Sequence, residues 1–426
     1  MEASAIVIGT FGLLFLLGFP VVTAILVPSV IYILWQGIPL AMVGQRTVYA
    51  LDSFPLMAVP IFIFVGNLMN TSGITTRIYR FADTAFGRLP GGLAQVNIAG
   101  SLIFSGMSGA ALADVGGLGR VELKAMKEHG FKPAFAGALT CASAIVGPIF
   151  PPSIPLIIYA SVASISSVQL LLAGIGPALL CVAMLSITVG ILGIVNGYPR
   201  AARWPTPGEV WRDFVPASPA LFTPVLLISG MLFGFFTPTE AAAVTALYIM
   251  AINAFIYREF DWHQVFIAAV DTIKGTAAIM AIVAVAAMFG WILAVEQIPQ
   301  WFNGWITGIS SDPLVLLLII NVILLIAGMF VDSTTATLLL VPIICPPVVA
   351  AGVDPIQLGL IVIFNLMIGL VTPPMGLALF LMSDIAKVPM PEILRAMIPF
   401  YIPLLVTLAL ITLVPAVSLW VPWLME

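Results

Sequence analysis

Charge is what this sequence has least of. Only 8% of its 426 residues are Asp, Glu, Lys or Arg and 61% are hydrophobic, whereas a soluble domain carries roughly 25% charged and 45–50% apolar residues. A water-surrounded globule is therefore excluded. Histidine is scarce too: His129 and His263 stand in polar connections without a neighbouring Cys or second His, so the usual zinc arrangements are absent. Cys141, Cys181 and Cys345 each lie singly in apolar surroundings, which argues for packing roles and against a disulfide framework. There is no Gly-x-x-x-x-Gly-Lys-Ser/Thr phosphate loop, no His-Glu-x-x-His and no Gly-x-Ser-x-Gly, which removes the common signatures of ATP use and of membrane hydrolysis. The net charge of −4 is too small to imply a partner, and nothing points to nucleic acid.

What remains is apolar. A crossing of the hydrocarbon core needs about 20 mostly apolar residues, and such stretches recur from Ser4–Leu34 through Pro399–Leu424. They predict an all-α polytopic protein of the lipid bilayer with roughly 11 to 13 segments, some incomplete. Glu2 stands where a signal peptide has basic residues, and no small-residue cleavage site follows. The first segment is expected to stay.

Gly106-Met107, Gly130, Pro133, Gly137, Gly147 and Pro151-Pro152 reappear 222 positions later as Gly328-Met329, Gly352, Pro355, Gly359, Gly369 and Pro373-Pro374. Seven Gly or Pro identities fall on one ungapped diagonal, where composition alone gives roughly 0.6, so the chain reads as a duplication. Arg77, Arg80, Arg88, Arg120, Lys124, Lys127 and Lys132 crowd one copy, while the equivalent stretch 299–354 has no Lys or Arg. Because basic residues stay on the cytoplasmic side, matching loops are expected on opposite sides, as in an inverted repeat. The plainer alternative is that the second copy merely lost its charges. The polar, Pro-containing stretch 201–218 reads as the connection. The resulting division is helices over 1–90, a first repeat over 91–197, a connection over 198–218, further helices over 219–310, a second repeat over 311–390 and a C-terminal helix over 391–426.

Between Arg88 and Arg120 the apolar run is interrupted by Ser101, Ser105-Gly-Met-Ser-Gly109 and Asp114. A single crossing would leave one basic flank outside, so a re-entrant hairpin with its tip at Ser105–Gly109 is expected. A seam of small residues for helix packing is the competing reading. Four prolines within Pro148–Pro155 cannot occupy one regular helix, and Gly369-Leu-Val-Thr372-Pro373-Pro374-Met375-Gly376 repeats the device. Both stretches are expected to be unwound crossings, exposing carbonyls that suit a sodium ion and a helix N-terminus that suits a carboxylate; ordinary kinks are the alternative. Asp114 and Asp332 are carboxylates at membrane depth, candidates for ion or substrate contact or else hydrogen-bonded structural acids. Thr335 and Ser153, at the second tip and the first break, are further candidates.

Ser105–Gly109, Gly147-Pro-Ile-Phe-Pro-Pro-Ser153, Gly369–Gly376 and Phe236-Thr-Pro-Thr-Glu-Ala241 together resemble the large membrane subunit of the tripartite ATP-independent periplasmic (TRAP) transporters over essentially the whole chain. Thr237, Pro238 and Glu240 also spell a capping box, so Glu240 is read as a helix start and not as an ion ligand. The resemblance implies an inverted-repeat elevator transporter of the bacterial inner membrane, of the ion-transporter-superfamily type, with two re-entrant hairpins and two discontinuous helices. It implies no cofactor, Na+ as coupling ion, a separate small four-helix membrane subunit and a periplasmic substrate-binding protein. Carried over residue by residue, it implies a first sodium site of Ser105, Ser108, Gly147, Phe150 and Pro152, and a second of Gly328, Gly369, Thr372 and Met375, with Phe150 and Met375 offering backbone oxygen only. The substrate is a carboxylate of open identity: a four-carbon dicarboxylate, a sialic or sugar acid, or a keto acid. A stand-alone sodium/carboxylate symporter or ion antiporter is the alternative, and a passive channel would need a continuous polar stripe that is not there.

Overall fold

The computed structural model describes residues 2–71 and 73–424, and all regular structure among them is helical. A chain without water must satisfy its peptide groups internally, and helices do this segment by segment. The Pro313–Phe330 helix shows how residue placement orients such a segment. Leu318, Val322 and Ile326, four apart, are half-exposed, whereas Leu317, Ile320, Leu324 and Gly328 are buried. The first row faces lipid and the second packs on the Pro355–Leu370 helix, as 3.6-residue periodicity demands.

Among the described residues seven helices are individually long and apolar enough to cross a bilayer, including Pro207–Leu232, Trp262–Val295 and Met390–Leu413. Six shorter apolar helices accompany them. Together these thirteen fall within the expected roughly 11 to 13 segments, some incomplete; among the short ones, Pro133–Val146 with Ile154–Ala163 and Pro355–Leu370 with Leu377–Ala386 flank the two proline breaks. Two helices, Ala41–Leu51 and Phe54–Asn70, meet at a 66° bend.

The capping box expected at Thr237 is present: its hydroxyl accepts from the Glu240 amide while the Glu240 carboxylate takes the Thr237 amide at 2.8 Å. Thr206 and Glu209 form a second one. It opens the Pro207–Leu232 helix, so from Pro207 onward the stretch expected as connection is helical. Asp213 on that helix receives Arg80 Nε at 3.1 Å and the Thr84 hydroxyl at 2.7 Å, tying it to Ile74–Phe86.

Helix boundaries recur at the offset already seen in the glycines and prolines. Ser108 and Phe330 end one helix of each copy, and Ala111 and Ser333 begin the next stretch, which is two helices in the first copy, Ala111–Gly116 and Leu118–Glu128, and one in the second, Ser333–Ala350; Pro133 and Pro355 begin the helix after it. Two packing neighbourhoods result. In one, Trp262–Val295 lies along Val21–Trp35, Ala41–Leu51 and Ala58–Thr71; in the other, Pro133–Ser143 contacts Leu93–Ser108, Leu118–Glu128, Leu377–Ala386 and Met390–Leu413.

Candidate functional site

The Leu93–Ser108 helix ends where Gly109 turns left-handed, at φ +64°, and Ala110 is extended before Ala111–Gly116 begins. The turn thus falls at the end of the expected tip, because helical geometry persists through Ser105–Ser108. Gly109 is required twice over: φ is positive, and a Cβ there would lie 2.5 Å from the Pro152 carbonyl oxygen. Its own carbonyl accepts from the Ile154 amide at 3.3 Å. The tip is therefore seated on the break of the first divided crossing.

At that junction the Ser108 hydroxyl donates to Asp114 Oδ1. The other oxygen, Oδ2, reaches over Gly147, where a Cβ would stand 2.5 Å from it and 3.3 Å from the Ala144 carbonyl oxygen. Among the described residues Oδ2 is buried without a hydrogen-bond partner, which is costly unless a ligand completes it. Gly66 of Ala58–Thr71 closes on the Ser108 backbone, a Cβ there lying 3.3 Å from the Ser108 Cα. Ser105, one turn earlier, donates to the Ser101 carbonyl at 2.5 Å. The ring of Phe150 is packed at Gly106, 3.3 Å from where a Cβ would be. Ser153 caps the Ile154–Ala163 helix, accepting from Leu156 N at 3.2 Å and donating to the Pro148 carbonyl. Both Pro151-Pro152 and Pro373-Pro374 are cis.

The second set is built differently. Gly328 and Gly369 touch backbone to backbone, a Cβ on Gly369 falling 2.4 Å from the Gly328 carbonyl carbon. Thr372 donates to the Ile368 carbonyl at 2.6 Å, and its own carbonyl lies 3.3 Å from a Cβ placed on Gly376. The Met375 side chain is 44% exposed. Asp332 caps the Ser333–Ala350 helix, accepting from the amides of Thr334 at 2.9 Å and Thr335 at 3.2 Å and from the Thr335 hydroxyl. Both of its oxygens thus serve the helix start. The structural-acid alternative describes what Asp332 does here, whereas Asp114 keeps one oxygen free.

Residue-type reasoning missed the polar cluster beneath the first tip. Glu122 is fully buried. Its Oε2 accepts from Asn97 Nδ2 at 2.7 Å and from Thr140 at 3.3 Å, Ser143 donates to Asn97 Oδ1 at 2.8 Å, and Ser101 lies 2.9 Å from Ser143. The signal was there: Leu118, Glu122 and Met126 share one buried face at four-residue spacing, opposite Arg120, Lys124 and Lys127. Among so many basic neighbours Glu122 reads as solvated.

An all-helical chain with seven or more helices long and apolar enough to cross a bilayer among its described residues defines a polytopic membrane protein. Residues 8–417 match the family model described as "Tripartite ATP-independent periplasmic transporter, DctM component". The chain belongs to this family. It is the large permease of a binding-protein-dependent uptake system, a multi-pass inner-membrane protein and a transporter rather than an enzyme. Large permeases of this kind work with a small permease and a periplasmic binding protein. The chain is 42% identical to "Sialic acid TRAP transporter large permease protein SiaM" of Vibrio cholerae, over 98% of this chain and 97% of the relative. It is 37% identical to "Sialic acid TRAP transporter permease protein SiaT" of Haemophilus influenzae, over 95% of this chain and 66% of that protein. Among solved structures, the YdaH transporter of Alcanivorax borkumensis, reported to have an unusual topology, shares the fold at a TM-score of 0.62, covering 90% of this chain and 89% of its own, with 13% identity.

Proposed function

We propose that this permease couples the entry of a carboxylate substrate to sodium, moving both by an elevator displacement of the two hairpins and two divided crossings. The observation that carries the reading is the partnerless Asp114 Oδ2 at the meeting point of Ser108 and Gly147. A buried carboxylate oxygen beside a hydroxyl and helix-end carbonyls suits a desolvated alkali cation. Ser105, Phe150 and Pro152 border the same junction, and Gly328, Gly369, Thr372 and Met375 would hold a second ion through backbone oxygens and the Thr372 hydroxyl. In this scheme sodium is cargo: occupying the paired sites draws the tips onto the crossings, and the substrate carboxylate meets helix N-termini, at Ser153 beyond the first break and at Asp332 and Thr335 on the second tip. The names of the relatives favour a sialic-type sugar acid as substrate. A separate small membrane subunit and a periplasmic binding protein would complete the system.

Reconstituted vesicles containing both permeases and the binding protein test the coupling. Uptake of sialic acid should require an inward sodium gradient, and equal uptake with potassium alone would reject it.

A further inference from the structure

A cavity of about 530 Å³ lies away from the hairpin tips, between Ala41–Leu51 and Trp262–Val295 on one side and Ile154–Ala163 and Ser333–Ala350 on the other. Its size falls within the roughly 300–1,000 Å³ of small-molecule sites. Ser161 and Ser164, at the C-terminal end of Ile154–Ala163, belong to its lining.

Its polar lining is sparse and mixed in character. Arg46 is half-buried and lies over the Trp291 ring at 5.2 Å. Among the described residues no carboxylate pairs with it and no hydrogen bond fixes its guanidinium. An arginine of a membrane protein that no carboxylate pairs points to a ligand path, and the Trp291 ring beside it attracts the cation without consuming a hydrogen-bond donor. Asp52 lines the same space, and Ser53 meets Ser161 across it at 3.0 Å.

We propose that this cavity is a second, low-affinity binding site for a hydroxylated carboxylic acid of the sugar-acid class. Arg46 takes the carboxylate through its two-pronged donor edge, Asp52 accepts from ligand hydroxyls, and Ser53 and Ser161 exchange their mutual hydrogen bond for bonds to the ligand. A plain aliphatic dicarboxylate would set its second charge against Asp52 and is disfavoured. The proposal rests on the reading of the chain as a carboxylate carrier, but it needs no sodium.

The full complex of both permeases in nanodiscs, in sodium-free potassium buffer, gives the test. Saturation-transfer NMR is recorded with sialic acid, glucuronate and succinate as probes. The expected result is binding of at least one sugar acid in preference to succinate, weakened at least tenfold by Arg46→Gln, less by Arg46→Lys, with Asp52→Asn narrowing the preference over succinate. Unchanged binding in Arg46→Gln, or no sugar-acid binding without sodium, would overturn the site. Should Arg46→Gln not assemble, Asp52→Asn alone decides: an unaltered preference rejects the assignment. Sodium-gradient uptake in vesicles is a separate measurement, so loss of coupling would remove the transport mechanism while this binding result stood, and the reverse.

Discussion

At the scale of single residues, the first tip offers the sharpest consequences. Ala at position 147 would place its methyl 2.5 Å from Asp114 Oδ2, a distance that real contacts do not sustain. Gly147→Ala should raise the sodium concentration for half-maximal uptake by tenfold or more, a loss of about 1.4 kcal/mol in ion binding. An unshifted sodium curve in vesicles would dissociate Gly147 from the ion. Ser108→Ala and Thr372→Ala should shift the same curve, since each removes one oxygen. Asp114 and Ser108 were legible because polar residues in an apolar run are exceptional. Glu122 was legible only in part: its four-residue spacing with Leu118 and Met126 marks one helical face, but that this face meets Asn97 and Thr140 is a fact of tertiary packing. The capping geometry that engages both oxygens of Asp332 depends on the three-dimensional helix start and is not carried by residue type.

Among elements, the Asn97–Glu122–Thr140 cluster joins the two arms of the first hairpin to the crossing helix. Removing the amide leaves a buried carboxylate short of a donor, which costs about 1–3 kcal/mol. Asn97→Leu should therefore lower the thermal unfolding midpoint of the purified protein well below that of Asn97→Gln; equal midpoints would show that the cluster contributes nothing. Gly369→Ala forces a methyl against the Gly328 backbone and should cost about 1–3 kcal/mol, while Gly304→Ala, in a helix with open space around it, should be neutral or mildly stabilising. The breaks themselves were readable, since four prolines in eight residues admit no regular helix. The expected tip Ser105–Gly109 contained the turn at Gly109, but which of its two glycines takes it was not readable, because Gly106 is equally permissive as a residue type.

For the molecule as a whole, the prediction concerns sidedness. If the copies are oppositely oriented, single cysteines at Arg120 and Pro342, introduced after replacing the three native cysteines, should react with impermeant reagents from opposite faces of the membrane. Labelling of both from one face would end the inverted-repeat account. The helical class and the division of crossings follow from composition and proline placement, which act locally. The packing of one half against the other depends on side-chain contacts remote in sequence, and so lay beyond such reasoning.

The meeting of Gly328 with Gly369 carries a mechanical corollary. With no side chain between them, the two helices have no deformable layer there, so they must travel as a single strut. Under the proposed sodium-coupled displacement, flexure in the second half would concentrate at Val331–Asp332 and at 371–376, and those few peptides would act as the latch through which ion occupancy is felt by the rest of the carrier.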